Sequence, residues 1–198
     1  WPSAHATAIV LCLFDETGER ETERIVLPGR TGDVHHAFVE GLLTGQRYGL
    51  RVHGPWVPKE GHRFNAAKLL VDPWAKALDR PFAWHESLAG GTTDGAAPDE
   101  RDTAPFVPKA IVSMPGDRIT GPRPRIAPGR RIVYELHVRG FTKTHPEIPE
   151  PLRGTFAGLA HPAAIAHLKR LGVTTVELMP VAAAIDERHL PPLGLTNY

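Results

Sequence analysis

The chain has 198 residues, enough for one ordinary domain or two small ones with a hydrophobic core. Hydrophobic residues make up 41% and charged residues 23%, as in soluble globular proteins, while 20 prolines and 19 glycines predict many turns. The formal net charge is +1 with both signs interspersed, which excludes a field that would attract nucleic acid or an anionic membrane, so we expect a neutral ligand.

The first part of the chain predicts short β-strands separated by turns. Segments in which apolar residues recur lie at 6–14, 24–27, 34–39 and 48–52. Short strands with frequent turns are typical of an antiparallel β-sandwich. Residues 54–120 have no clean period apart from a last short strand at 110–112, and we assign residues 1–120 to one domain.

A proline-rich stretch at residues 121–129 predicts an extended linker, after which a second domain occupies residues 130–198. This domain is predicted to contain a strand at 131–138, a helix at 162–171 and a strand at 173–179. Pro162 suits the first helical position, and Gly172 supplies the left-handed stop. Strand, helix and strand predict a βαβ unit with parallel strands.

Two long connections follow the predicted parallel strands. Residues 139–161 form a 23-residue connection, and residues 181–198 follow the second strand. Connections of this kind are usually about 2 to 6 residues long. Because both leave the carboxyl ends of parallel strands, where α/β folds carry their ligand sites, we expect a binding cleft there, with structural decoration as the alternative.

No motif for phosphate binding, zinc binding or a serine nucleophile is present, and we expect neither a metal nor another cofactor. His35 and His36 are adjacent in a predicted strand and therefore point to opposite faces, which excludes one shared ion. Glu135 and Glu177 lie within the two parallel strands, where a structural ion pair is favoured over acid–base chemistry.

Cys12 lies inside the apolar run 8–14, where we expect a buried, inert thiol. A lone cysteine forms no disulfide within the chain, which is compatible with a reducing cytoplasm, our expected location. The run is too short to span a bilayer, and no signal-peptide pattern opens the chain. The first residue, Trp1, and the ending at Tyr198 predict that both ends are cuts through a longer sequence.

Several stretches together resemble the isoamylase-type glycogen debranching enzymes of the α-amylase superfamily. They are GQRYGLRVHGPW at 45–56, KLLVDP at 68–73, YELHVRGFT at 134–142, GTFAGL at 154–159, HLKRLGVT at 167–174 and VELMPV at 176–181. Their order and spacing also match the family. Ala66 departs from the family's usual proline, and Ala182 from a polar residue that many members carry.

The resemblance implies a multidomain fold, in which a glucan-binding-module-like β-sandwich precedes the first βαβ part of a TIM (β/α)8 barrel. It also implies hydrolysis of α-1,6 branch linkages in glycogen or limit dextrin with retention, which needs two carboxylates about 5 to 5.5 Å apart. In the family these follow the fourth and fifth barrel strands. We therefore assign no catalytic residue here, and we expect the piece alone to be inactive, with α-glucan and the remainder of the parent chain as its partners.

Four residues are candidates for substrate binding. Trp56, in the Gly-Pro-Trp turn, has the aromatic face that sugars stack on, although a packing wedge is the favoured alternative. His137, Arg139 and Glu177 lie at or near the ends of the barrel-like strands, where structural support of the rim is the alternative.

Other functions share the same domains. A branching transferase or a trehalose-releasing hydrolase of the same superfamily would have both sandwich and barrel, but residues 152–155 and 186–190 look more like the debranching group. A non-catalytic glucan-binding protein, anchored to polysaccharide by its sandwich, is the other alternative.

Overall fold

The computed structural model describes residues 1–114 and 124–197, which form two compact units. The first unit contains the described residues up to 114 together with those from Ile185 onward, and the second contains those from 124 to Ala184. The predicted second domain thus extends beyond the second unit. The predicted linker lies partly outside the described residues, and the predicted domain limits stay a prediction.

The first unit consists mainly of β-strands. They are β1 (Ala8–Phe14), β2 (Glu21–Val26), β3 (Gly29–Thr31), β4 (Val34–His36), β5 (Arg47–His53), β6 (Trp56–Val57), β7 (His62–Arg63) and β8 (Ala110–Ile111). The main sheet has the antiparallel order β2-β1-β5-β8, while β3–β4 and β6–β7 form separate two-stranded sheets. The mostly antiparallel, strand-rich first domain predicted from the sequence is therefore confirmed.

Strand β1 is central because both of its faces are covered. It pairs with β5 from Ala8↔His53 to Phe14↔Arg47 and with β2 on its other edge. One face packs against the segment that carries Leu69. The other face, which β1 shares with Leu50 and Val52 of β5, packs against Trp1, Leu27 and Phe64. A strand buried on both faces needs a continuous apolar run rather than an alternating one, which explains the composition of residues 8–14.

Cys12 has no exposed surface, as predicted. Burial, with a smaller contribution from the charge of Glu21, raises the pKa of its thiol to about 11. The thiol therefore stays protonated at neutral pH and is a poor nucleophile. The expected burial of Cys12 is confirmed.

A long irregular segment, residues 64–107, covers one face of the sheet at close range. Gly49 lies opposite Cys12 in the sheet, and a Cβ on Gly49 would lie 2.8 Å from the side chain of Leu69. A side chain at this position would displace Leu69. The glycine therefore allows the irregular segment to pack directly on β5.

Arg51 of β5 attaches this segment to the sheet. Its side chain is only 4% exposed. Nη1 donates to the carbonyl oxygens of Ala66 and Ala67 at 3.1 and 3.0 Å, while Nη2 donates to both carboxylate oxygens of Asp102 at 2.9 and 3.0 Å and to Glu21 Oε2 at 3.0 Å. One guanidinium thus joins β5, β2 and two parts of the irregular segment.

The acidic partners of Arg51 are held ionised. Burial alone would raise the pKa of the Asp102 carboxyl, but hydrogen bonds from the Ala104 N–H and from Arg51 outweigh it and lower that pKa below its ordinary value. Burial opposes ionisation of Glu21 too, and hydrogen bonds from Arg24 and Arg51 again lower the pKa. For Glu21, whose side chain is 17% exposed, these hydrogen bonds compensate the cost of burying the charge, whereas the Asp102 side chain is 54% exposed.

The second unit contains the predicted strand, helix and strand. Its elements are β9 (Val133–Leu136), α1 (Val138–Thr142), α2 (Phe156–Leu159), α3 (Pro162–Arg170) and β10 (Thr175–Leu178). β9 and β10 are parallel, from Val133↔Thr175 to Leu136↔Leu178, as predicted. Helix α3 begins at Pro162 as predicted, and Gly172, with φ +76°, follows its end.

The connection between β9 and α3 is not a plain loop. The sequence predicts a strand as far as residue 138, but β9 ends at Leu136 because His137 Nδ1 accepts a hydrogen bond from Gly140 N at 3.0 Å and caps α1. Thr142, fully buried, accepts from Gly154 N at 2.8 Å and closes the connection on itself. The connection is therefore a packed part of the second unit.

The strand pair of the second unit has apolar side chains in contact with solvent. Val133 is 53% exposed, and Val176 and Leu178 are each more than a third exposed. Buried parallel strands normally have both faces covered. The strand pair therefore carries an apolar surface that the described residues leave uncovered. Among the described residues, no helix is long and apolar enough to cross a membrane.

Replacing Arg51 with leucine is expected to lower the free energy of unfolding of the first unit by about 3 kcal/mol, because two partly buried carboxylates lose their shared cation. Urea unfolding followed by tryptophan fluorescence measures this, since all four tryptophans lie in the first unit. Arg24→Leu is the matched control: its exposed guanidinium contacts only Glu21 within the described ion pairs, and less than about 1 kcal/mol should be lost.

The same pair of variants tests the pH dependence. Because the pKa values of Glu21 and Asp102 are lowered by folding, their contribution to stability is present above the unfolded value of about 4 and is lost as the pH falls below it. Arg51→Leu should flatten this acid loss. Equal acid slopes in the wild type and in Arg51→Leu would contradict the role of Arg51.

Candidate functional site

A groove of about 420 Å³ opens on the first unit beside the β6–β7 hairpin. Its walls include the aromatic rings of Trp1 and Phe64 and the polar side chains of Arg63, Asn65 and Lys68. Aromatic faces next to polar groups are what a sugar chain requires, because each ring has an apolar face and a rim of hydroxyl groups.

The turn after β5 positions the aromatic wall. A Cβ on Gly54 would lie 2.5 Å from the Phe64 ring, so only glycine lets the ring pack against the backbone here. Phe64 N also donates to Pro55 O at 3.3 Å. The sequence 54–56 therefore fixes where Phe64 lies.

The polar groups of the groove are largely occupied by protein partners. Lys68 Nζ donates to the carbonyl oxygens of Ser87 and Arg101 at 2.7 and 2.8 Å and lies 3.4 Å from Asp99 Oδ1. Asn65 Nδ2 donates to the carbonyl oxygens of Gly90 and Asp99 at 2.9 and 2.8 Å. These two side chains hold the loop 86–101 in place, and the groove offers a ligand mainly aromatic surface and the exposed Arg63.

Asp99 belongs to the same network of hydrogen bonds and ion pairs as Lys68. Arg101 donates to its carboxylate through Nε and Nη2, at distances down to 2.7 Å, and this holds the pKa of Asp99 far below its ordinary value. Asp99 therefore stays an anion and a partner for the Lys68 ammonium. It has no proton to donate to a substrate at neutral pH.

Trp56, the aromatic candidate predicted from the sequence, lies next to this groove. It pairs with Arg63 in the β6–β7 hairpin, and a Cβ on Gly91 would lie 2.8 Å from its ring. Its Nε1 is buried without a hydrogen-bond partner among the described residues. The loop therefore covers part of the ring, which favours the packing role, while glucan stacking stays a prediction.

His137 and Arg139 lie together at the start of α1 in the second unit. His137 caps the helix through Nδ1. Arg139 is exposed, and its Cγ would lie 3.2 Å from a Cβ on Gly154. Both residues contact the connection that follows β9, so their local role is structural, and their contact with substrate stays a prediction.

Glu177 lies beside Glu135, its register partner across the parallel strands. Both are exposed, and neither makes an ion pair within the described part of the chain, so the structural ion pair favoured from the sequence is not found there. Tyr134 packs edge-on against Phe141 at 5.9 Å, and Phe141 contacts His167 of α3. The two glutamates alternate with Tyr134 and therefore lie on the opposite face of the pair from α3.

Sequence reasoning missed the groove residues Phe64, Asn65 and Lys68 as a group. The run of histidine, arginine, phenylalanine and asparagine at 62–65 is the one local signal for them.

His35 is buried and His36 is exposed, which confirms that they face opposite ways. Among residues 1–114 and 124–197, no group of three or more histidine, cysteine, aspartate or glutamate side chains could hold a metal ion.

Comparison with known proteins identifies related sequences. Residues 2–75 match the family model for carbohydrate-binding module 48 (isoamylase N-terminal domain). Over 99% of its length the chain is 51% identical to the glycogen debranching enzyme of Yersinia enterocolitica serotype O:8 / biotype 1B, and 50% identical to that of Yersinia pseudotuberculosis serotype IB. The chain spans 29% of the length of each of these relatives.

Solved structures share the fold at lower identity. The apo pullulanase from Paenibacillus barengoltzii is similar with a TM-score of 0.60 and 22% identity, over 91% of this chain and 25% of that one. The pullulanase type I from Bacillus subtilis str. 168, complexed with maltose, gives 0.59 and 21%, over 94% of this chain and 22% of that one. At this identity the likeness shows the fold alone.

Trp56→Ala is expected to lower the free energy of unfolding by about 2 to 3 kcal/mol, because a half-buried ring and its contact with Gly91 are lost. Binding of glycogen by the protein that remains folded should be unchanged. Trp74→Ala is the control, since Trp74 is 64% exposed and should cost less than about 1 kcal/mol. Weaker glycogen binding by Trp56→Ala with unchanged urea unfolding would instead make Trp56 a glucan platform.

Proposed function

We propose, from the confirmed likeness of this chain to the isoamylase-type glycogen debranching enzymes, that it is the N-terminal part of a protein that hydrolyses α-1,6 branch linkages in glycogen or limit dextrin. The observation that carries the proposal is 51% identity over 99% of the chain. Identity at this level extends through both compact units rather than one motif. The protein would be a glycoside hydrolase that acts in the cytoplasm.

The first unit supplies glucan binding in this proposal. The match to carbohydrate-binding module 48 covers β1 to β7, and the groove beside β6 and β7 supports it with an aromatic wall. The predicted β-sandwich is the form that this module would take. Stacking on Trp1 and Phe64 would dominate binding, because Asn65 and Lys68 already have protein partners.

The second unit supplies the start of a (β/α)8 barrel in this proposal. Parallel β9 and β10 with α3 between them support it, as do the exposed apolar residues Val133 and Val176. Val133 lies on the face with Glu135 and Glu177, and this face would turn toward the barrel interior. Val176, the register partner of Tyr134, lies on the opposite face, which further parts of the parent would cover. His137, Arg139 and Glu177 would then lie at or below the substrate rim.

The catalytic carboxylates would lie in the parent protein beyond this chain. A retaining mechanism places a nucleophilic carboxylate and an acid/base carboxylate about 5 to 5.5 Å apart on either side of the scissile bond. Of the carboxylates described here, Glu135 and Glu177 are register neighbours, but both are exposed and lie within the strands rather than in the segments that follow them. We propose no catalytic role for them.

The whole parent protein is expected to release reducing sugar from glycogen limit dextrin and to leave linear maltodextrin intact, whereas the 198-residue chain alone should release none. A reducing-end assay with both substrates measures this. Branch transfer without new reducing ends would indicate a branching enzyme, and release of trehalose would indicate the other related hydrolase. Release by the 198-residue chain would contradict the assignment of catalysis to the rest of the parent.

Glycogen pull-down of the parent with and without residues 1–120 tests the binding role of the first domain. Loss of binding on deletion, together with hydrolysis by the intact parent, is the expected result. Binding without hydrolysis by the intact parent would favour the alternative of a non-catalytic glucan-binding protein. A circular-dichroism spectrum of the shortened parent serves as the control for folding.

A further inference from the structure

The segment that follows β10 packs within the first unit, around Trp84. The indole Nε1 of Trp84 donates to the carbonyl oxygen of Asp186 at 2.5 Å. The guanidinium carbon of Arg188 lies 5.0 Å from the centre of the Trp84 ring, in the arrangement of a cation–π contact. One aromatic side chain therefore makes both a polar and a stacking contact with residues 185–197.

This segment is a closed loop with a defined shape. Asn197 N donates to Asp186 Oδ1 at 2.7 Å, and Asn197 Nδ2 donates to Ile185 O at 3.1 Å, which joins the two ends. Leu195 N donates to Leu190 O at 3.1 Å inside the loop. Trp84 therefore binds the loop at Asp186, where its two ends meet.

Trp84 is itself held by its own segment. Its ring packs edge-on against Phe82 at a centroid distance of 5.4 Å, and only part of the ring is exposed. Edge-on aromatic pairs limit the orientations that either ring adopts. The indole therefore presents its N–H and one face to the loop in a fixed direction.

Loop 185–197 also forms one wall of a cavity. Arg188 lines a space of about 900 Å³ together with Glu86, Thr92, Asp99 and Arg101. Arg101 pairs with Glu86 at 2.6 Å and with Asp99 at 2.7 Å, so Arg188 is the cavity guanidinium that would donate hydrogen bonds to sugar hydroxyls. The open cavity has room for a polyhydroxylated chain. Release of the loop would remove Arg188 from this wall.

We propose that this cavity binds part of an α-glucan chain and that Trp84 is the positioning residue that holds loop 185–197 against it. The loop follows the carboxyl end of β10, the end at which parallel α/β folds carry their sites. Trp84 therefore holds this loop within the first unit. The inference rests on the debranching function proposed above, and Trp84 acts through the loop rather than by contact with reacting atoms.

Trp84→Ala in the whole parent protein is expected to raise the KM for glycogen limit dextrin about three- to tenfold, as for the loss of one hydrogen bond and one stacking contact, with kcat within about twofold. Trypsin cleavage after Arg188, followed by mass spectrometry, should become faster in the same variant because the loop is released. If the role of Trp84 were purely structural, Trp84→Ala would not raise KM while leaving kcat nearly unchanged.

Phe38→Ala is the control, since this aromatic ring is 90% exposed and its loss should leave both KM and cleavage after Arg188 unchanged. Arg188→Gln removes the cation–π contact and the cavity wall without touching the core, and it should reproduce the higher KM if Trp84→Ala fails to fold. Arg188→Lys, which keeps the charge, should restore part of the affinity.

Two outcomes would overturn the inference. One is faster cleavage after Arg188 in Trp84→Ala with an unchanged KM, which would show that the loop does not serve substrate binding. The other is unchanged cleavage in the folded variant, which would show that Trp84 does not hold the loop. Failure of the wild-type parent to hydrolyse limit dextrin would instead refute the proposed function, and the cleavage assay would still report on the contact of Trp84 with the loop.

Discussion

The buried guanidinium of Arg51 is the interaction on which the first unit depends. A charge that is 4% exposed cannot be hydrated, so each of its polar contacts must come from the protein. Those contacts reach Ala66, Ala67 and Asp102, which belong to the irregular segment 64–107 rather than to the sheet. The groove side chains and the loop under Trp56 are built on that segment, and their positions therefore follow from one arginine on β5.

The elements that sequence predicted best are those set by local chemistry. The apolar run of β1, the proline and glycine at the ends of α3, and the parallel β9 and β10 all carry their signal within a few residues. The structure of segment 64–107 could not be predicted from local sequence. It is held by side chains such as Asn65 and Lys68, which donate hydrogen bonds to carbonyl groups distant in the sequence, rather than by regular backbone hydrogen bonds. The early end of β9 also escaped prediction, since a helix cap by His137 looks like one more polar residue in a strand.

The candidate site was predictable in kind but not in detail. An exposed Gly-Pro-Trp turn indicated an aromatic surface near Trp56, yet the contact with Gly91 depends on a loop about thirty-five residues away and left no trace in the local pattern. His137, Arg139 and Glu177 were candidates because they lie at or near strand ends. This topological rule predicts where a residue lies but not what it contacts. The resemblance to the family implies the reaction. The structure shows which polar groups could bind a sugar and which already have hydrogen-bond partners in the protein.

The contact between Trp84 and Asp186 joins residues 102 positions apart. On a ribosome that adds about 5 to 20 residues per second, the indole is synthesised about 5 to 20 s before its carbonyl partner exists. During that interval the nascent N-terminal unit lacks one of its pieces, while all of β9, α3 and β10 is being made. The N-terminal unit therefore cannot complete its fold before the rest of the chain is made. Its last segment is synthesised only after the whole second unit has been translated.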